Sequence, residues 1–485
     1  MAEDLRIKLL TDDEVGTINK SCIELLSSKG IKLTSRPQVL KMLDNLGAHV
    51  DYTDEIVKFP KDIILEALRT VPQEMILGGR KVSYDLSLPH PEGLFYVRGG
   101  SGTQFFVEPR STAYRKTKLS DVIEWAQLVE VLDEINICTA LFPQETPRET
   151  TDMYALRALF ENTGKHILIQ PYGTHSVEYL FEMGLAIAGN VESFKQRPPF
   201  TIHSSPIEPL TLKGMHVDTI LQSCQYGAIL SSNPISQVGA TSPVTMAGTV
   251  LQSAVSLLSI VTISQMIKSG TPVIGHPVHL VLDMKTGGFH GDSIEALLGL
   301  AASVQFIKEA FHIPVFALGF TGYDSYALDG QLWIEVALRG LMVSMARADV
   351  LMGAGRFGIA NSSLKLIIDN SLTKILKRSR GGIRVDEDTL ARQVIIDTPQ
   401  GGHYLEHPHT LKHCRDATQI DLFATKQPGD WRKEGSKDLD EKAIEEYYEL
   451  KKNLKPYPLS ADVKKELDKI VKMADQILGK ESFVL

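Results

Sequence analysis

Short apolar, β-prone runs, each followed by a segment of helical periodicity, constrain this chain more than any other feature. They are Ile135–Phe142, His166–Gln170, Phe200–Ser204, Ala228–Ser232, Pro272–Gly275, Pro314–Leu318 and Asp349–Met352, preceded by a β-prone piece near residues 95–107. Strands that alternate with helices pair in parallel through right-handed crossovers. Eight such units predict an α/β fold closed into a (β/α)8 TIM barrel. An open doubly wound sheet is the runner-up, but no GxGxxG follows a strand.

The flanks read differently. Residues 1–75 predict a helical N-terminal cap. Thr11 to Glu14 form a capping box, the first helix stops at Gly30, and Pro37 and Pro60 open two more. Residues 76–118 are a β-rich lead-in with a glycine-rich turn, Arg98-Gly99-Gly100-Ser101-Gly102. It has no GK[ST] after it, so it is not a P-loop. Residues 119–415 hold the barrel and a His-rich loop that closes over it. Residues 416–485 are strongly charged, and Lys437–Lys452 and Ala461–Leu478 predict C-terminal helices packed on the barrel.

With 43% apolar and 23% charged residues, the chain has the make-up of a globular protein. A net charge of −8 and the lack of a basic run argue against nucleic acid as a partner. Four scattered cysteines form no CxxC and fit reduced thiols of a cytoplasmic protein. No signal peptide is read in the N-terminal residues. Val244–Ile267 lacks charge but holds many Ser, Thr and Gln, so it predicts a buried helix and no membrane span.

In such a barrel the reacting groups stand at the C-terminal strand ends. Those ends carry Gln170-Pro171-Tyr172, His203-Ser204-Ser205-Pro206, Asn233-Pro234 with Gln237, His276-Pro277-Val278-His279, Phe320 to Asp324, and Gly353-Ala354-Gly355-Arg356. Aromatics, amides and imidazoles dominate over paired carboxylates, against glycosidase-like chemistry. Neither HExxH nor Gly-x-Ser-x-Gly occurs. Four histidines in His403–His413 suggest metal ligands, but no Cys or Asp stands at a supporting spacing, and no metal is expected.

Several blocks, in order along the chain, carry a family likeness: Gly99-Gly100-Ser101, Ser236–Thr245, Asp283–Gly287, Gly322–Gln331, Ala348–Gly355 and Gly401–His413. The chain resembles the trimethylamine methyltransferase superfamily of corrinoid-dependent enzymes, in the branch that lacks pyrrolysine and acts on quaternary amines such as betaines; the alternatives are the same fold demethylating another methylated amine or a sulfonium, or a non-catalytic quaternary-amine-binding protein. The resemblance implies a barrel, and a cytoplasmic enzyme that moves a methyl group from a quaternary amine to cobalt(I) of a corrinoid (cobalamin) carried by a separate protein. It also implies that Tyr326 stands where trimethylamine enzymes carry pyrrolysine. A quaternary ammonium has no lone pair to add to the pyrrolysine imine, so losing that electrophile fits such a substrate. Tyr326 and Asp324 are then the expected catalytic pair, with Asp324 balancing the ammonium or capping the next helix. Phe105, Tyr172, Phe320, Tyr323 and Trp333 are expected to hold the N-methyl cation by cation–π contact. A betaine carboxylate would need Arg356, His276 or His279, with Asn233 and Gln237 as amide donors. A homo-oligomer is expected. Many relatives have His before the last glycine-rich strand end, where this chain has Met352.

Overall fold

The computed structural model describes residues 7–173, 175–417, 420 and 422–481. Residues 1–6, where part of the N-terminal reading falls, lie outside them. The eight expected strands are all present. They are β1 Tyr96–Gly99, β2 Ile137–Thr139, β3 His166–Ile169, β4 Phe200–Ser204, β5 Ile229–Ser232, β6 Val273–Gly275, β7 Phe316–Leu318 and β8 Val350–Ala354. In space they run β6-β5-β4-β3-β2-β1-β8-β7, every pair parallel. A parallel bridge between Gly275 and Val315 joins the two outer strands, so the sheet closes. Such strands are buried on both faces, which is why they read as continuous apolar runs rather than alternating ones.

Each strand is followed by its helix: α1 Leu119–Val131, α2 Thr151–Asn162, α3 Val177–Ala188, α4 Gly214–Tyr226, α5 Met246–Ile267, α6 Ile294–Phe306, α7 Gly330–Met345 and α8 Ser363–Arg380. Helix α5 is long and apolar enough to cross a bilayer, yet 72% of its most apolar window is buried. It lies against α4, α6 and two N-terminal helices, Asp12–Ser28 and Lys61–Thr70. Several of its hydroxyls are satisfied within the helix: Thr262 Oγ1 donates to the Leu258 carbonyl at 2.8 Å and Ser264 Oγ to the Val261 carbonyl at 2.9 Å.

The N-terminal cap is not purely helical. The Thr11–Glu14 capping box forms as the sequence predicts. Between the helices, however, Ile31–Leu33, His49–Asp51 and Ile56–Lys58 build a four-stranded sheet with Thr211–Leu212. Three-residue strands are too short for a periodicity to register. The C-terminal helices Leu439–Lys451 and Ala461–Glu481 pack on the outer helices, the first on α8 and α1, the second on α3 and α2.

Two small sheets sit at the C-terminal end of the barrel. One joins Phe105–Val107, Tyr114–Lys116, Arg356–Phe357 and Ala360–Asn361, inserted after β1 and β8. The other joins Ile235–Val238, Val278–Leu282 and Phe289–His290, inserted after β5 and β6. The described hydrogen bonds of the His-rich loop run elsewhere. His409 Nε2 lies 3.1 Å from the Asp388 carbonyl and His413 Nδ1 lies 2.6 Å from Asp416.

Candidate active site

Strand alternation decides which side chains enter the barrel. A Cβ on Gly99 would meet Trp125 of α1, in the helical layer. Its neighbour Arg98 therefore points inward, and it is 3% exposed. Opposite Arg98 and Gly99, β8 carries a bulge between Met352 and Ala354. The bulge is made by Gly353, whose φ of +96° and close approach to Thr321 leave no room for a Cβ.

Around Arg98 stand His203 from β4, His276 just past β6, Tyr323 after β7 and Arg356 after β8. The imidazoles of His203 and His276 lie 5.0 Å apart, and the Arg356 guanidinium lies 5.0 Å from the centre of the Tyr323 ring. Burial, with the charge of Arg356 beside it, pushes Arg98 down to about 9. Burial and then Arg98 push His203 down to about 3. Burial, His203 and Arg98 hold His276 well below the usual histidine range, so both imidazoles are neutral. Arg98 Nε and Nη1, Arg356 Nε, His203 Nδ1, His276 Nε2 and Asn233 Oδ1 are buried with no partner among the described residues.

A belt of paired charges lies beside this cluster. Arg339 and Asp292 form a buried ion pair at 2.5 Å. Lys365 and Asp369, one turn apart on α8, pair at 2.6 Å with no exposed surface. Burial outweighs Lys365 and raises Asp369 to about 6. Asp292, Asp324 and Glu335 come close enough together to resemble a metal site. Their oxygens are already engaged. Asp324 accepts from the Gly291 and Asp292 amides, at 3.1 and 3.0 Å. Glu335 accepts from Ser325 at 2.7 Å and Gln331 at 2.6 Å. The group is a clasp that fixes the loop after β7.

The residues expected from sequence divide. His276, Tyr323 and Arg356 meet at the mouth. Tyr172 stands at the end of β3, its hydroxyl 3.0 Å from Gln104 Nε2 and its ring 4.8 Å from that of Phe142. Asn233 is buried at the end of β5, and Gln237 is half-buried on the small-sheet strand beyond it. Phe105 is half-buried in the sheet over β1. Trp333 is half-buried on α7, its ring 5.9 Å from Lys365 Nζ.

The others go elsewhere. His279 points to the helical layer, where Nε2 lies 2.8 Å from Ser303 Oγ of α6, because the chain turns at Pro277 into the second small sheet. Phe320 is fully buried and contributes its carbonyl to Lys365. Tyr326 is 69% exposed, and what it offers the mouth is its carbonyl, which accepts from the Tyr114 hydroxyl at 2.6 Å. Asp324 does not cap α7; Asp329 does. Arg98 and Phe142 were missed. Arg98 sits beside Gly99-Gly100 and reads as part of a turn; a lone charge ending a β-prone run was the signal.

A sequence profile described as trimethylamine methyltransferase (MTTB) matches residues 2–478. The trimethylamine methyltransferase MttB of Desulfitobacterium hafniense (strain DCB-2) is 27% identical, over 97% of this chain and 94% of its own length. MttB1 of Methanosarcina acetivorans is 26% identical, over 97% and 96%. A glycine betaine methyltransferase of Desulfitobacterium hafniense (strain Y51) is 23% identical, over 98% and 99%. Among solved structures, the hydroxylamine complex of MtmB superposes with a TM-score of 0.50 at 14% identity, over 98% of this chain and 95% of that one, a likeness of fold. With its barrel closed and its length matched almost end to end, the chain belongs to the trimethylamine methyltransferase family.

Proposed function

We propose that this chain takes a methyl group from a quaternary amine of the betaine class and delivers it to a corrinoid carried by a separate protein. The observation that carries the reading is the make-up of the mouth itself. Among the described residues there, no thiol and no unpaired carboxylate is free to take the methyl group. Three of the four cysteines are buried and the fourth, Cys414, lies in the exposed His-rich segment. A displaced methyl group has no thiolate to go to there, in keeping with an acceptor supplied from outside. The corrinoid supplies the hard chemistry, a cobalt(I) nucleophile.

The chain's own part is to hold the amine in line and keep water out. In the step, the C–N bond breaks with its electron pair left on nitrogen, so a neutral tertiary amine departs. No general acid is needed, in keeping with two neutral imidazoles beside the site. Tyr172 with Phe142 offers aromatic faces to the N-methyl groups at roughly 0.5–2 kcal/mol each, whereas the Tyr323 ring already faces the Arg356 and Arg339 guanidinium groups, 5.0 and 5.8 Å from its centre. The exposed Tyr326 offers no electrophile for an amine lone pair, which supports a quaternary substrate. Loops on the same face present exposed apolar side chains, Val244, Met284, Tyr326 and Ile359, as a docking rim for a corrinoid protein.

The test is anaerobic. The purified chain is mixed with cob(I)alamin and, in turn, glycine betaine, proline betaine, carnitine, butyrobetaine and trimethylamine. Loss of the cob(I)alamin absorbance with a betaine, matched by its demethylated product and absent with trimethylamine, is expected. Turnover of trimethylamine alone overturns the substrate. No turnover with any amine, even with the cognate corrinoid protein present, overturns the reaction.

A further inference from the structure

The interior of the barrel mouth has an excess of donors. Arg98 is buried, and neither its Nε nor its Nη1 has a partner among the described residues. Arg356 reaches the Ser101 carbonyl through Nη1 at 3.3 Å, but its Nε is buried and unpartnered. The Arg356 guanidinium stands close enough to oppose the charge of Arg98. No carboxylate among the described residues pairs with either. Of the acids nearby, Asp292 is paired with Arg339, and Asp369 receives Lys365 and the Gly355 amide through Oδ2, with its Oδ1 buried and unpartnered among the described residues. His203 Nδ1 and His276 Nε2 add two more unpartnered nitrogens.

A buried charge without a counter-charge is costly, and a pair of like charges more so. Water can satisfy the N–H groups but cannot neutralise them. A chain that merely needed to fill this space would do better with an apolar or amide side chain. Among the described residues, the buried cations Arg339 and Lys365 each have an acid, and buried Arg380 is held by the Gly93, Ser344 and Ala348 carbonyls. Arg98 has neither, and it lies at the C-terminal end of β1, beside His203, His276 and Arg356, rather than in the belt.

We propose that Arg98, with Arg356 beside it, forms a carboxylate-binding subsite inside the barrel mouth that orients the substrate with its anionic end inward and its N-methyl groups toward the opening. The identity of the other end as a methylated ammonium rests on the proposed function; the anion subsite does not. Planar guanidinium matches carboxylate in a two-pronged geometry that Lys cannot reproduce. The Tyr172–Phe142 ring pair is then left for the N-methyl end. An onium compound of equal size without the carboxylate leaves both guanidinium groups uncompensated, so it is rejected.

The experiment uses the full chain, Arg98→Gln and Arg98→Lys, with thermal melting and calorimetric titration of the betaine panel, choline and tetramethylammonium. Wild-type protein is expected to bind at least one betaine and to bind choline and tetramethylammonium at least 100-fold more weakly. Arg98→Gln is expected to lose betaine affinity at least 100-fold while melting at or above the wild-type temperature without ligand, because an uncompensated buried charge has gone. Arg98→Lys is expected to fall between. Three results overturn the subsite: betaine affinity unchanged in Arg98→Gln, choline bound as tightly as any betaine, or no betaine bound by the wild type. A lower melting point of unliganded Arg98→Gln does so too, since it makes Arg98 a structural residue. Arg98-dependent betaine binding without methyl transfer leaves the subsite standing and removes the reaction.

Discussion

At the scale of single residues, side-chain direction separates the site from its surroundings. His276 and His279 are three positions apart and looked equivalent as strand-end histidines. One faces His203 across the barrel and the other is fixed to Ser303 on α6. Their directions depend on where β6 ends and the small sheet begins, which composition and spacing do not encode. Arg98 was hidden for a related reason: its inward orientation follows from the register of β1 against β2 and β8. Gly353 is the backbone counterpart. Its bulge lets β8 cross the mouth beside Thr321, so Gly353→Ala combines a disfavoured φ with a collision. A loss of ~2–4 kcal/mol is expected, read as a lower urea midpoint. An unchanged midpoint would show that the bulge relaxes freely.

Elements were far easier to read. Barrel strands buried on both faces leave long apolar runs, and the intervening helices are long enough to show their period, so all eight units were legible. The three-residue strands of the N-terminal cap were not. Helix α8 carries a test of its own. Lys365 and Asp369 lie one turn apart in the interior, and Lys365 also holds the Phe320 carbonyl at 2.6 Å. Lys365→Met strands a buried carboxylate and is expected to destabilise by ~3–5 kcal/mol. Adding Asp369→Leu is expected to restore part of that loss, although the Gly355 amide then lacks its acceptor. Equal losses in the single and double variants, measured in urea, would mean that the pair is not coupled.

Across the whole molecule, four buried imidazoles and the half-buried His216 set the response to acid. Burial depresses His166, His216 and His279 to about 4 and His203 to about 3, and holds His276 well below its usual range. A folded value below the unfolded one, near ~6.5, means that the unfolded chain binds protons first as pH falls. Stability is therefore full above ~6.5 and declines toward ~4, by about 1.4 kcal/mol per pH unit for each such histidine. Asp369, raised to about 6, works in the opposite direction below that pH, as do Asp152 and Glu208, which burial also raises. The melting temperature is expected to fall steeply between pH 6.5 and 5 in calorimetry. A flat profile would show that these imidazoles are not held neutral by the fold.

The seam between β1 and β8 has a further consequence. Gly100 donates to the Ala354 carbonyl at 2.7 Å, and the small sheet above ties Phe105 and Phe106 to Ala360 and Asn361. The contact between Arg356 and Ser101 joins residues 255 positions apart. During synthesis on the ribosome, the N-terminal half of the sheet has no final neighbour until the last strand emerges, and both edges stay open meanwhile. The barrel mouth is completed in the same event as the fold, so a nascent chain holds no half-built mouth, and truncation anywhere before that seam leaves β1 without its closing neighbour.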